Sequence, residues 1–285
     1  MRPQLLLRTA LEEGGTIEHA LDAAIAIEIL HNYSLVHDDI EDDDRLRHGQ
    51  LTVWAQFGRA HGINAGDALC ALAYLALLHD DCNAPRSRVL EMLHVLHEAN
   101  LLMCEGQGID IKFELLPSVT MDEYLEMISG KTGALFAASC QLGAIAAECG
   151  PERVRDYARL GRAYGRAFQI RDDVLGTWGA SDVTGKPSGA DIARRKWSFP
   201  VVWALGTSPS VDREIVATAY GRGGTLDADD VAKTIAALDR LGARNAADDA
   251  HDRALAEADE IAREAGIDRG RSVRDFLAEG ARRVA

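Results

Sequence analysis

Hydrophobic positions recur along most of this chain with a period near 3.6 residues, and strict alternation is scarce. Ile17, Ala20, Leu21, Ala24, Ile25, Ile29, Leu35 and Val36 predict one long helix from Thr16 to Asp44. A polar turn follows around His48-Gly49-Gln50, a second helix begins near Thr52, and another runs from Gly66-Asp67 through Ala68–Leu78. Asp80 to Ser87, with Pro85, reads as a loop, and helix returns from Arg88 to about Glu114. Pro117-Ser118-Val119-Thr120 breaks it. Thr120 then caps a helix running to Ser129, with Glu123 three residues on as its capping-box partner. Gly130-Lys131-Thr132-Gly133 punctuates the chain, a helix of small residues reaches Cys149, and Pro151 opens another to about Leu175. Gly176 to Gly189 reads as a Gly-rich loop, and helix resumes near Phe199. Residues 227–285 read as two or three charged amphipathic helices, with Asp227-Ala228-Asp229-Asp230 placed well for a helix start. Strands are expected to be minor or absent.

Composition sharpens the class. Ala, Leu, Glu, Asp and Arg dominate, aromatics are 6%, and only 7 prolines occur in 285 residues. That favours an all-α fold without linkers, read as a single domain. The formal charge of −14, from 31 basic and 45 acidic residues, argues against a nucleic-acid partner. An acidic balance remains compatible with an enzyme whose bound divalent cations reverse the local field. The five cysteines, Cys70, Cys82, Cys104, Cys140 and Cys149, match no zinc spacing. Cys70, Cys104 and Cys140 lie among apolar residues and are expected as buried free thiols, which fits a reducing, cytoplasmic setting. No signal segment and no membrane span are read from the sequence.

Two clusters carry candidate chemistry. His37-Asp38-Asp39-Ile40-Glu41-Asp42-Asp43-Asp44 ends the first long apolar helix. Asp38 and Asp42 are i and i+4 and share a face, where like charges repel. The negative end of the helix dipole adds a second penalty. A hard cation such as Mg²⁺ between the carboxylates offsets both. Phe168-Gln169-Ile170-Arg171-Asp172-Asp173-Val174-Leu175-Gly176 ends a second apolar helix in the same manner. Two such helix ends can frame a diphosphate with Mg²⁺, which is metal-assisted activation of a leaving group. Other polar residues read as structural. His94 and His97 fit a surface or helix contact, and Trp54, Trp178, Trp197 and Trp203 fit packing. His37 reads as a packing or orienting neighbour of Asp38.

These motifs, taken in order, resemble those of trans-polyprenyl diphosphate synthases of the isoprenoid synthase type. The resemblance rests on Asp38-Asp39-x-x-Asp42 with Arg47, Gly66-Asp67-Ala68-Leu69, Gly106-Gln107 and Lys131-Thr132-Gly133. It continues through Phe168-Gln169-x-x-Asp172-Asp173 to Gly185-Lys186-Pro187 with Asp191 and Lys196. It runs from Arg2 to about Leu205 and fades into the charged tail. It implies a helical bundle around a central cavity, a homodimer, and Mg²⁺, three ions with the substrate diphosphate. It implies Asp38, Asp39, Asp42, Asp172 and Asp173 as the metal carboxylates, and Arg47, Gln107, Lys131, Lys186 and Lys196 as substrate contacts. Gln169 and the Lys131-Thr132 turn would face a carbocation formed when the allylic C–O bond ionises, with Asp38 and Asp172 also counted in the catalytic set. Isopentenyl diphosphate would be the acceptor. Tyr33, five residues before Asp38, would limit chain length, which implies a short-chain product, C20 first and C15 next.

The chain departs from this pattern on the acceptor side. Arg2 fits an arginine of the family's Gly-Gly-Lys-x-x-Arg-Pro segment, but the lysine and the leading helices are missing. His31 fits the acceptor-binding position, and His48 replaces a second arginine. A neutral imidazole does not replace a guanidinium fork on a diphosphate. Gly176 stands where many relatives carry an aspartate, which leaves one fewer carboxylate. A late start codon, weak acceptor affinity, or a changed second half-reaction would each account for the acceptor side. The expected activity is condensation of an allylic diphosphate with isopentenyl diphosphate. A terpene cyclase, a prenyltransferase to another acceptor, and a non-catalytic subunit stand as alternatives.

Overall fold

The computed structural model describes residues 1–179, 188–221, 224–267 and 276. Its elements in chain order are α1 (Arg2–Glu12), α2 (Ile17–Glu41), β1 (Leu46–Arg47), β2 (Gln50–Leu51), α3 (Val53–Phe57), α4 (Arg59–Leu75) and α5 (Val89–Phe113). After α6 (Met121–Ile128) and a π-helical turn (Ser129–Gly133) come α7 (Ala134–Ala146), α8 (Pro151–Trp178) and α9 (Ala190–Ala193). The last are α10 (Phe199–Leu205), α11 (Val211–Tyr220), α12 (Ala228–Leu241) and α13 (Ala243–Glu264). The all-α expectation holds, with one short hairpin added. Among the described residues no helix is long and apolar enough to cross a membrane.

The residues group into two compact units. The first gathers Met1–Leu101, Leu135–Gly161 and the described part of Ile261–Leu277. Helix α2 is its axis. Thr16 caps it by accepting from the His19 N–H at 3.3 Å. Ala20, Ala23, Ala26, Ile27 and Leu30 are fully buried, so α1 and α4 pack closely on it. Gly66 explains one sequence motif. A Cβ there would lie 2.1 Å from the His37 Nε2 atom, so glycine at that point leaves room for the His37 ring between α2 and α4.

The hairpin β1–β2 follows α2. Leu46 pairs with Leu51 and Arg47 with Gln50, leaving His48 and Gly49 as a two-residue loop. Both have positive φ, 50° and 75°, the requirement of a type I′ turn. The polar turn read from the sequence is therefore this hairpin tip, and it aims Arg47 back along α2.

The second unit gathers Leu102–Ala134 and the described part of Arg162–Glu260. Tyr124, Met127, Ile128, Ile170, Val174, Trp197 and Phe199 belong to its core. The Thr120–Glu123 capping box is present, with Thr120 N–H donating to the Glu123 carboxylate at 2.8 Å.

Three expectations are corrected. Residues 130–133 do not break the chain. They widen it into a π-turn between α6 and α7, a feature often found at functional sites. Helix α8 continues to Trp178, so Gly176 lies inside it. There, a Cβ would meet the Asp191 Oδ2 atom at 1.9 Å, so the missing side chain leaves room for the Asp191 carboxylate. Cys104 is exposed, not buried, whereas Cys140 is buried as expected and Cys70 is intermediate. The tail shows α12 and α13, and the rest of it beyond Ile267, Phe276 apart, lies outside the described residues.

Gly106 gives a test of this packing. A Cβ on it would fall 2.2 Å from the Lys131 backbone nitrogen, whereas one on Gly108 meets nothing within 4 Å. Gly106→Ala is expected to cost about 1–3 kcal/mol by overpacking. Gly108→Ala should stabilise by roughly 0.4–1 kcal/mol through the unfolded chain. Urea denaturation of both variants checks this, and equal midpoints would refute the close approach.

Candidate functional site

In the first unit the acidic end of α2 meets Arg47. Adjacent helix positions differ by about 100° in direction, so Asp38 and Asp39 cannot face the same way. Asp39 points inward and is 5% exposed. Arg47 holds it, with Nη2 at 2.8 Å and Nε donating to Oδ1 at 2.9 Å. Burial raises the Asp39 carboxyl above the usual carboxylate range, against the opposing effect of Arg47. Asp38 turns outward, with one oxygen 3.4 Å from the same guanidinium. Asp42 ends the helix, its N–H bonded to the Asp38 carbonyl at 2.8 Å. Tyr33 is buried one turn earlier, edge-on to His37 with ring centroids 5.3 Å apart.

Arg2 and His31 form a second group in this unit. Arg2 Nη1 donates to His31 Nε2 at 2.8 Å. A guanidinium only donates, so Nε2 accepts and the imidazole carries its proton on Nδ1. That Nδ1–H and the Arg2 Nε–H are both buried, and neither has a hydrogen-bond partner among the described residues. Burial, then the Arg2 charge, pushes the His31 pKa down to about 3. Burial likewise lowers Arg2 to about 10, with Glu28 opposing. His48 lies apart from both groups, exposed at the hairpin tip.

In the second unit Asp173 is the centre. It is 3% exposed. Its Oδ2 accepts from the Tyr124 hydroxyl and from the Phe199 N–H, each at 2.7 Å. Its Oδ1 accepts from Gln169 Nε2 at 2.9 Å. That bond fixes the Gln169 amide, whose Oε1 accepts from the Thr132 hydroxyl at 2.5 Å. Burial pushes the Asp173 carboxyl up to about 7, although Lys196, Tyr124 and the Phe199 N–H all favour its charge. Asp172, the next residue outward, is exposed. Lys131 projects from the π-turn and pairs with Asp110 at 2.5 Å. Gln107, on α5, is half-buried. Lys186 lies outside the described residues.

The sequence model of the polyprenyl synthetase family matches residues 1–238. The chain belongs to this family. A (2E,6E)-farnesyl diphosphate synthase of Mycobacterium tuberculosis is 40% identical over 231 residues, 81% of this chain and 63% of that protein. A geranylgeranyl pyrophosphate synthetase of Pyrococcus horikoshii superposes with a TM-score of 0.88 at 34% identity, covering 100% of this chain and 85% of that one. A Caulobacter crescentus polyprenyl synthase, crystallised with calcium and isoprenyl diphosphate, superposes at 0.87 and 26% identity, covering 99% and 83%. The chain thus spans about 63% of the length of the farnesyl diphosphate synthase it matches.

Several residues of these clusters escape sequence reasoning. Tyr124 and the Phe199 N–H are far from Asp173 in sequence, and no local signal marks either as its partner. Asp110 carries a faint signal, since it follows the Gly106-Gln107 motif by one helical turn. Asp191 is legible as a motif residue, but its place against Gly176 is visible only in three dimensions.

His31 sets a pH dependence. An ordinary histidine titrates near 6.5. Here the folded value is about 3, so between these limits the unfolded chain binds a proton that the folded chain refuses. Stability therefore falls as pH drops through this window. Urea midpoints at about pH 7 and about pH 5 should separate more for the natural chain than for His31→Gln, whose amide cannot take a charge in that range. Equal separations would contradict the buried, neutral imidazole.

Proposed function

We propose that this chain joins an allylic diphosphate to isopentenyl diphosphate and yields a short-chain prenyl diphosphate, C20 or C15. The observation that carries this reading is the Arg2–His31 pair. Two buried donors without partners, Arg2 Nε–H and His31 Nδ1–H, call for an anionic ligand, because a buried donor left unsatisfied costs about 1–3 kcal/mol. A diphosphate acceptor supplies such oxygens. A cyclase acting on the allylic diphosphate alone has no use for a second anion site.

The allylic half of the reading rests on the carboxylates. Asp38, Asp42 and Asp172 offer hard oxygen donors of the kind Mg²⁺ prefers, and three Mg²⁺ ions with the substrate diphosphate are part of this proposal. Bound Mg²⁺ would neutralise charge developing on the departing diphosphate. Asp39 and Asp173 already give their oxygens to protein donors, and we assign them, beside any metal contact, to holding α2 and α8 in place. We assign Lys131, which lies on the π-turn beside Asp110, to the diphosphate, and Arg47, Lys186 and Lys196 likewise on the strength of their motifs. Gln107 stays in the substrate-binding set.

Ionisation of the allylic C–O bond leaves a carbocation. Gln169 and Thr132 present oxygen dipoles to it, and the Asp173–Gln169–Thr132 hydrogen bonds fix their direction beforehand, which is preorganised electrostatic stabilisation. The isopentenyl double bond attacks, a new C–C bond forms, and a proton leaves to the released diphosphate. Tyr33, buried beneath Asp38 on α2, blocks further growth of the chain.

The reading includes a homodimer. Leu72, Leu75 and Leu90 of the first unit are 49%, 56% and 79% exposed, and water contact at so many large apolar side chains favours self-association.

Incubation with Mg²⁺ and each allylic diphosphate, with and without isopentenyl diphosphate, tests the activity. Elongated diphosphates that form only when both substrates are present are expected. A hydrocarbon or alcohol formed from the allylic diphosphate alone would replace the reading with cyclisation. No turnover until a partner chain is added would replace it with a subunit role. Tyr33→Ala is expected to lengthen the product by one or more C5 units, and an unchanged product would remove Tyr33 from this role.

A further inference from the structure

Asp22 lies in the first half of α2, far from the acidic end of that helix, and is 7% exposed. Its buried neighbours along α2 are Ala20, Ala23, Ala24, Ala26 and Ile27. Among the described residues no lysine or arginine pairs with it. The connection between α4 and α5 lies over it instead. The Asn83 N–H donates to Oδ2 at 2.8 Å, and His79 Nε2 stands 3.5 Å from Oδ1. Cys82 N–H bonds back to the His79 carbonyl at 3.1 Å. This tight turn sets His79 and Cys82 side by side over the carboxylate. One ligand atom from each of Asp22, His79 and Cys82 lies within 4.8 Å of the others.

We propose that Asp22, His79 and Cys82 form a binding site for a borderline-soft divalent transition cation, zinc above all. Zinc takes oxygen, nitrogen and sulfur ligands at about 2.0–2.3 Å, which in a tetrahedron sets neighbouring ligand atoms roughly 3.3–3.6 Å apart. The Asp22–His79 pair already meets that spacing, and the thiol needs only a small inward turn. A thiolate selects zinc over the hard Mg²⁺ that suits carboxylates alone. As the Zn–S bond forms, the Cys82 thiol gives its proton to solvent. His79 donates the Nε2 lone pair and keeps its proton on Nδ1, and Asp22 stays ionised. Two negative ligands and one Zn²⁺ leave the cluster neutral, which offsets the cost of a buried carboxylate that has no lysine or arginine beside it among the described residues. His79 is exposed, so a water molecule completes the fourth position, and the exposed Asp80 and Asp81 raise the local concentration of cations. The bound ion clips the α4–α5 connection to α2 within one unit. None of this depends on the transferase reading.

The test uses the full chain, stripped with a chelator and titrated with Co²⁺ alone, then Zn²⁺ alone. One Co²⁺ should bind with a thiolate-to-cobalt charge-transfer band that Zn²⁺ abolishes and excess Mg²⁺ leaves intact. Zn²⁺ should also raise the Tm. Cys82→Ser keeps a hydroxyl donor for Asp22 and should fold normally by circular dichroism, yet show no thiolate band. His79→Gln should weaken Zn²⁺ binding by more than the roughly 10–100-fold lost when a residue that merely supports a ligand is changed. A natural chain without the thiolate band, a band that persists in Cys82→Ser, or unchanged Zn²⁺ affinity in His79→Gln would each overturn the proposal.

Discussion

A carboxylate is buried only where donors meet its oxygens, because an isolated ionised group costs several kcal/mol or shifts its pKa until it is neutral. Both aspartate pairs obey this constraint in the same way. Asp39 is buried and held by Arg47, while Asp38 turns outward. Asp173 is buried and held by Tyr124, Gln169 and the Phe199 N–H, while Asp172 is exposed. The helix forces the division, since neighbours on it point about 100° apart. Each pair thus joins an anchored carboxylate to an accessible one. The buried member fixes the helix in place at that point, and the outward member inherits that position.

In the second unit the anchor does more than hold a helix. Asp173 gathers α6 through Tyr124, α10 through Phe199, and the π-turn through Gln169 and Thr132. The π-turn itself lies against α5, where Gly106 admits the Lys131 backbone. Residues from separate stretches of the chain therefore share one hydrogen-bonded frame. In the proposed reaction a carbocation has no hydrogen bond to offer, so dipoles that would face it must be oriented by the protein beforehand. A frame of this kind meets that need.

Much of this was legible in the sequence, for physical reasons. The helices announce themselves by period, the Thr120 cap by its Glu123 partner, and the first aspartate cluster by the energetic penalty of placing it at a helix end, whereas the second lies inside α8. The hairpin tip was legible as a polar turn, although two residues per strand are too few for alternation to show. What the sequence hid depends on distance along the chain. The pairing of Tyr124 with Asp173 spans 49 residues, and nothing local encodes it. The π-turn was hidden for another reason. Gly130 and Gly133 read as breakers, yet packing against α5 keeps the chain helical and only widens it. Gly66 and Gly106 were legible as motifs, but their reason, a neighbour too close for a Cβ, appears only in the fold. The division of labour inside each aspartate pair was likewise invisible, because the two residues are chemically identical and differ only in direction.

The most direct test of that division compares Asp172→Asn with Asp173→Asn in one experiment that reads urea stability and turnover together. Asp172→Asn is expected to keep stability within about 0.5 kcal/mol, as an exposed substitution does, and to lose turnover. Asp173→Asn should lose about 1–3 kcal/mol, because its amide presents a donor to the hydrogens that the carboxylate accepted. Equal stabilities for the two variants, or a larger loss at Asp172, would contradict the account.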